Sequence, residues 1–274
     1  VFRTVEQEAH RFRHDDDRVP LYRRVSGGIV ATMIRAVILS LARTGSNLLL
    51  DMLNQHPSLY FHGEIFNSTR VNGFRAYEAF RQANGIDPTA FRDSDHRRFM
   101  EAVFTDYHGS EAVRASGFKL FLNHSPSILQ HVAAHPDYRL VVLERANRLA
   151  SYSSKLIGEA TGIWSSKFGS VPEGLKVAFD AEGFDGFRRF SDAAYGALRQ
   201  RLKDRPNVFE IEYTALSDDA KVAALVEFLG ATADRPLVPS LKKQNSTDIV
   251  GRFDNPDEVR TYLTRHNLLP WATE

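Results

Sequence analysis

No cysteine occurs among the 274 residues of this chain. Disulfide bridges, thiolate nucleophiles and cysteine-ligated metals are thereby excluded, and the reducing cytoplasm is the expected location. Charge of one dominant sign is also lacking, since 35 Lys and Arg face 34 Asp and Glu. Nucleic-acid binding through bulk charge is excluded, whereas a local basic pocket is not. Long apolar runs are missing. The stretch from Gly27 to Leu41 is broken by Arg35 and falls short of the roughly 20 residues that a transmembrane helix requires. The first residues, with Arg3, Glu6, Glu8 and Asp15-Asp16-Asp17, do not read as a signal peptide. Met33 stands just ahead of the first predicted strand, so residues 1–33 read as an N-terminal extension of uncertain status and 34–274 as the folded domain.

What is present suits one large α/β domain, with 43% hydrophobic and 25% charged residues and no internal repeat. An apolar strand over about 34–40 leads into a helix over 46–55, which Asn54-Gln55-His56-Pro57 ends. A short extended piece, Leu59 to His62, precedes Gly63-Glu64. Polar helical segments are predicted over 71–84 and 95–107, as a cover over a site. Gly117 to Leu122 reads as a strand, and Ser125-Pro126 as a helix start. The apolar run Tyr138 to Leu143 reads as a buried parallel strand, with a helix following from near Asn147. A long amphipathic helix over 184–203, a strand over 208–211, a helix over 218–229 and an irregular basic tail complete the chain. This alternation predicts a P-loop-like, three-layer αβα fold with a central, mostly parallel sheet. Ligands gather at the carboxyl ends of such strands, where Arg43, Lys119, His124 and Arg145 fall.

Two constellations carry chemistry. The turn Arg43-Thr44-Gly45-Ser46-Asn47-Leu48 joins the first strand to a helix, so backbone N–H groups and the positive end of a helix dipole converge on one spot. Arg43 adds a charge, Thr44 and Ser46 add hydroxyl donors, and Gly45 permits close approach. The turn reads as an anion cradle, but it is not a Walker A loop, because no lysine precedes the hydroxyl residue. Farther on, Arg145 leaves a strand end and Ser153 follows eight residues later, a spacing able to place a guanidinium and a hydroxyl about a second oxyanion. Taken singly, a surface arginine in the turn, an Arg145–Glu144 ion pair and a back-bonding Ser153 are the plainer readings.

Together the cradle and the Arg145–Ser153 pair resemble the sulfotransferases that use 3′-phosphoadenosine 5′-phosphosulfate (PAPS) and release 3′-phosphoadenosine 5′-phosphate (PAP). The pattern Arg43-Thr44-Gly45-Ser46, Leu53-Asn54-Gln55-His56-Pro57, Gly63-Glu64 and Thr161-Gly162-Ile163-Trp164 is similar to the bacterial carbohydrate branch of nodulation-factor and trehalose sulfotransferases. Ala42 departs from the proline common in relatives. The resemblance implies that Arg43, Thr44, Gly45, Ser46, Asn47 and Leu48 hold the 5′-phosphosulfate, and Arg145 and Ser153 the 3′-phosphate. It makes Glu64 the general base, a role contributing about 10²–10⁴-fold, with His124 as rival base. Lys119 is placed against the transferring group, and the late basic pair Lys242 and Lys243 against the cofactor. No metal is required. The acceptor implied is a carbohydrate or glycolipid, its specificity residing in the cover around 70–107, and a homo-oligomer is compatible with the chain.

Alternatives from other classes are a P-loop nucleotide kinase or NTPase, with Leu140 to Glu144 imitating a Walker B strand, and a non-catalytic PAP-binding protein. His131 and His135 stand four apart, a zinc-compatible spacing, but they read as solvent-facing, and Trp164 as a core residue.

Overall fold

The apolar run that follows Met33 becomes the middle strand of the molecule. The computed structural model describes residues 33–166, 169–241 and 244–274. The extension over 1–33 therefore lies, Met33 apart, outside the described residues, as do Lys242 and Lys243. Strands β1 (Ile34–Ser40), β2 (Leu59–His62), β3 (Ala115–Phe121), β4 (Tyr138–Glu144) and β5 (Val208–Glu212) form one sheet in the order β2-β3-β1-β4-β5. Every pairing is parallel. The chain reverses direction across the sheet on either side of β1, which makes the carboxyl end of β1 the switch point where ligands collect.

Among the described residues the helices are α1 (Ser46–Leu53), α2 (Tyr77–Asn84), α3 (Pro88–Ser94), α4 (His96–Thr105), α5 (Pro126–Ala134), α6 (Arg148–Thr161), α7 (Ala181–Arg201), α8 (Asp219–Phe228) and α9 (Pro256–Arg265). The period of two along the strands sorts side chains between two layers. Ala36 and Ile38 of β1, with Val141 and Leu143 of β4, pack on Leu49 and Leu53 of α1 and Leu225 of α8. Val37, Leu39, Leu140 and Val142 face the opposite way, onto Phe99 and Val103 of α4, Val132 of α5 and Tyr195 of α7. A third apolar cluster ties Leu149 of α6 and Phe184 of α7 to Val259 and Leu263 of α9.

The predicted strands and the main helices are found with boundaries shifted by a few residues. Three expectations are corrected. Over 71–84 only Tyr77–Asn84 is helical; Val71 and Phe74 are core residues of the preceding loop. The stretch around 95–107 is not a polar cover. Phe80, Phe99, Met100 and Val103 belong to a helical layer against the sheet, and Arg81, Asp93, Asp95 and Arg98 are exposed on its outer side. The basic tail is not irregular throughout, since it contains α9 and two short 3₁₀ turns, Val250–Arg252 and Leu269–Ala272.

His62, at the end of β2, is fully buried. Its Nδ1 accepts from the Arg75 N–H at 3.2 Å, so its Nε2 carries the proton and donates to the Tyr107 carbonyl at 3.1 Å. Burial pushes its pKa down from 6.5 to about 3, against the Tyr107 carbonyl and with the help of the Arg75 charge. The unfolded chain therefore binds a proton that the folded chain refuses between about pH 6.5 and 3. Stability from this group is present in full above that window and is lost as pH falls, by up to about 1.4 kcal/mol per unit. Denaturant titrations at pH 7 and pH 4 are expected to show a smaller loss of stability in His62→Gln than in the parent. Equal losses would contradict the assignment.

Candidate active site

The turn between β1 and α1 owes its shape to two left-handed residues, Arg43 (φ 65°) and Gly45 (φ 85°). A Cβ on Gly45 would lie 2.4 Å from the Tyr213 ring, so only glycine fits. Helix α1 begins at Ser46 with no side-chain cap and no acidic residue in its first turn. Its leading N–H groups and dipole are therefore left to an incoming anion. The Thr44 hydroxyl donates instead to the Leu41 carbonyl at 2.9 Å, bracing the turn from inside. Tyr195 of α7 locks the strand ends together, accepting from Leu41 N–H at 3.1 Å and donating to the Leu143 carbonyl at 2.8 Å.

Arg43 donates to Ser154 Oγ through Nε and Nη2 at 2.9 and 2.7 Å, and to the Trp164 carbonyl at 2.6 Å. None of these partners is a carboxylate. Burial and the charge of Arg145 both push its pKa down. The Trp164 ring sits 5.8 Å from the guanidinium. This tryptophan is 45% exposed on the wall of the cleft, which corrects its reading as a core residue.

On the β3 side, Lys119 is 1% exposed. Its Nζ lies 2.9 Å from Glu64 Oε1 and donates to Asn47 Oδ1 at 2.7 Å. Asn67 Nδ2 donates to the other Glu64 oxygen at 3.1 Å. Burial pushes the Glu64 carboxyl up, but the charge and hydrogen bond of Lys119, with that of Asn67, hold it below its usual range. Burial pushes Lys119 down, opposed by Glu64 and aided by Arg43. Glu64 thus stands as a carboxylate beside an ammonium that gives up its proton more readily than usual. His124 packs its ring 4.9 Å from Phe121, and its buried Nδ1 has no hydrogen-bond partner among the described residues. It does not line the cleft.

The second cation cluster lies at the ends of β4 and β5. Arg145 forms a two-pronged ion pair with the Glu274 carboxylate, Nε to Oε1 measuring 2.8 Å. Its Nη1 donates to the Arg43 carbonyl at 3.2 Å, and its guanidinium lies 4.4 Å from the Tyr213 ring centre. Glu144, the expected partner, is taken by Arg148 and Arg199. Ser153 is fully buried, donating to the Ala150 carbonyl at 3.1 Å and accepting from Arg252 Nη1 at 2.9 Å. It meets the cleft through Arg252, which lines it. Burial and the charge of Arg145 push the Arg252 pKa down to about 10, Glu274 opposing. Three guanidinium groups therefore share this region with the one carboxylate that pairs with Arg145.

Both clusters open into one cleft of about 1010 Å³, lined by Ser46, Asn47 and Leu48 of the cradle and by Glu64, Lys119 and Arg145. Thr44 and Ser153 stand behind its wall. Ser154, Tyr213, Glu274 and Asn67 were not reached from the sequence. Tyr213 was within reach, because it directly follows a parallel strand. Helices α2, α3 and α4 contribute no lining residue, whereas Asn67, Arg70 and Asn72 of the preceding loop do. His131 and His135 are half-buried, their tilted rings 4.2 Å apart beside Tyr138, rather than standing free in solvent. No group of three or more His, Asp or Glu is placed to hold a metal among the described residues.

A switch-point cradle, a second cation cluster and a buried Lys–Glu pair thus meet in one cleft at the carboxyl edge of this α/β sheet. The chain belongs to the sulfotransferase family, whose sequence profile matches residues 36–235. It is a sulfotransferase, and the kinase and non-catalytic alternatives are set aside. It is 27% identical over 234 residues to Nodulation protein H of Rhizobium tropici, covering 83% of this chain and 88% of that protein. It is 26% identical over 245 residues to Nodulation protein H of Rhizobium meliloti, covering 82% and 90%. A solved sulfotransferase from Alicyclobacillus acidocaldarius superposes with a TM-score of 0.46 at 19% identity, covering 86% of this chain and 94% of the other. No helix among the described residues is long and apolar enough to cross a membrane.

The cradle yields a stability prediction. Gly45→Ala is expected to cost about 1 kcal/mol for the left-handed backbone and a further ~1–3 kcal/mol for overpacking against Tyr213. Gly85→Ala shares the left-handed backbone (φ 64°) but meets nothing within 4 Å, so it carries the first cost alone. Equal destabilisation of the two variants in denaturant titrations would contradict the close approach at Gly45.

Proposed function

We propose that this sulfotransferase takes its sulfuryl group from PAPS and delivers it to a hydroxyl of a carbohydrate or glycolipid. The observation that carries the reading is that two separate cation clusters open into one cleft, with a buried Lys–Glu pair beside only one of them. The uncapped N-terminus of α1 and the excess of guanidinium over carboxylate suit a ligand with two anionic groups. When bound, the donor supplies a sulfuryl group attached to a phosphate leaving group.

The chain's own residues divide the work. Arg43 and the N–H groups from Gly45 to Leu48 hold the 5′-phosphosulfate, and Thr44 braces their turn. Arg145 and Arg252 receive the 3′-phosphate, with Ser153 orienting Arg252. Glu274 is the counter-ion that Arg145 keeps until a phosphate replaces it. Lys242 and Lys243 remain proposed contacts to the same phosphate. Glu64 accepts the proton of the acceptor hydroxyl as the new O–S bond forms. Lys119 donates toward the phosphate oxygen that takes the electron pair of the breaking S–O bond. Glu64 rather than His124 is favoured as base, because its carboxylate lines the cleft and the imidazole does not. The likeness to Nodulation protein H, and the similarity of the Arg43–Ser46, Leu53–Pro57 and Thr161–Trp164 pattern to the carbohydrate branch of the family, support a carbohydrate acceptor.

Transfer of radiolabelled sulfur from PAPS to a panel of oligosaccharides, glycolipids and simple phenols tests the reading. Label is expected on sugar hydroxyls. Glu64→Gln should lower kcat by about 10²–10⁴-fold while PAP affinity stays within about twofold, because no donor contact is lost. Label confined to phenols would overturn the acceptor class, and an undiminished Gln variant the base.

A further inference from the structure

The loop after β2 is closed at its neck. The Gly63 N–H donates to the Gly73 carbonyl at 2.8 Å, and a Cβ on Gly63 would lie 3.0 Å from the Gly73 Cα. Within the loop the Glu64 carbonyl accepts from the N–H groups of Asn67 and Asn72 at 3.0 and 3.1 Å. The Asn67 amide has one orientation here. Its Oδ1 accepts from the Thr69 N–H at 3.1 Å and the Thr69 hydroxyl at 2.9 Å, which leaves Nδ2 to donate to Glu64 Oε2 at 3.1 Å. Below the loop lies Arg92 of α3, 2% exposed and paired with Asp93 at 2.7 Å. Its guanidinium donates to the carbonyls of Ile65 and Asn67. A buried arginine thus fixes the backbone that fixes the amide.

We infer that Asn67 is the positioning residue of sulfuryl transfer, its amide fixing one oxygen of Glu64 while Lys119 fixes the other. This rests on Glu64 being the base. Each carboxylate oxygen has two lone-pair directions. With Lys119 on Oε1 and Asn67 on Oε2, the carboxylate cannot rotate, and its remaining lone pairs keep a set direction toward the cleft. A base held in this way meets the acceptor hydroxyl without first being ordered. Burial alone would raise the carboxyl, and the Asn67 hydrogen bond is one of the contacts opposing that rise. The amide therefore keeps the base both aimed and ionised.

The test compares Asn67→Ala, Asn67→Asp and Glu64→Gln in steady-state kinetics across pH, with PAP binding by calorimetry and melting as a folding check. Asn67→Ala is expected to lower kcat about ten- to a hundredfold. KM for PAPS and the Kd for PAP should stay within about twofold, because the Asn67 side chain bonds to the base and to Thr69, and to no residue assigned to the donor. The acid limb of the kcat profile should move to higher pH. It should move farther in Asn67→Asp, which keeps the size of the side chain but sets a like charge beside Glu64. Combining Asn67→Ala with Glu64→Gln should cost no more than Glu64→Gln alone, because both act through one group. Parental kcat and an unmoved acid limb in both Asn67 variants, beside an inactive Glu64→Gln, would overturn the inference. So would losses that add in the double variant, or that fall equally on PAP binding. Full activity in Glu64→Gln would instead overturn the assignment of the base.

Discussion

Repulsion among buried cations is the constraint around which this molecule is arranged. Arg43, Lys119, Arg145 and Arg252 all converge on the carboxyl edge of one sheet. Two unit charges at 4 Å cost about 4 kcal/mol at an effective dielectric of 20, so such a cluster persists only where local partners offset it. The partners are specific. Glu64 and Asn47 satisfy Lys119, Glu274 satisfies Arg145, and hydroxyls and carbonyls satisfy Arg43 and Arg252. Among the described residues neither Arg43 nor Arg252 has a carboxylate as a hydrogen-bond partner, and the pKa of each is pushed down by burial and by Arg145. A ligand carrying two negative groups relieves this crowding at both places, and that relief is binding energy a neutral ligand does not gain.

The fold serves this arrangement through register. Parallel pairing sets Ser40 beside Phe121 and Glu144 beside Glu212, so residues that follow different strands arrive at one level. Tyr195 clamps the β1 and β4 ends, and the close approach of Gly45 to Tyr213 brings the cradle against the residue that follows β5. The third apolar cluster, of α6, α7 and α9, anchors the tail that delivers Arg252 and Glu274. Chemistry at the edge thus depends on packing laid down far from it.

How much of this was legible in the sequence follows from the range of the forces involved. Continuous apolar runs disclosed β1 and β4, and a turn with glycine before a leucine-rich helix disclosed the cradle. Arg43, Arg145 and Lys119 were visible because strand ends are where such a sheet collects ligands, and Glu64 through the resemblance to the sulfotransferases. Hydroxyl directions were not visible. Thr44 turns to Leu41 and Ser153 to Ala150, each an i−3 carbonyl contact within its own segment. Glu274 was hidden because long-range tail packing alone carries it to Arg145. Trp164 was misjudged because its ring is seated on Gly158, where a Cβ would come within 2.8 Å, and this holds it at the wall of the cleft. The segment over 95–107 was taken for a polar cover because its charges outnumber Phe99 and Phe104, which face the sheet.

The central claim is that the two cation clusters form one pocket for a nucleotide phosphorylated at both ends of its ribose. Titration calorimetry of PAP and of ADP against the parent and Arg145→Ala tests it most directly, since the two ligands carry similar charge in different places. The account predicts that the parent binds PAP about ten- to a hundredfold tighter than ADP, as charge-assisted contacts to a 3′-phosphate require, and that Arg145→Ala brings the two toward parity. Equal affinities in the parent, or a preference that survives in Arg145→Ala, would contradict it.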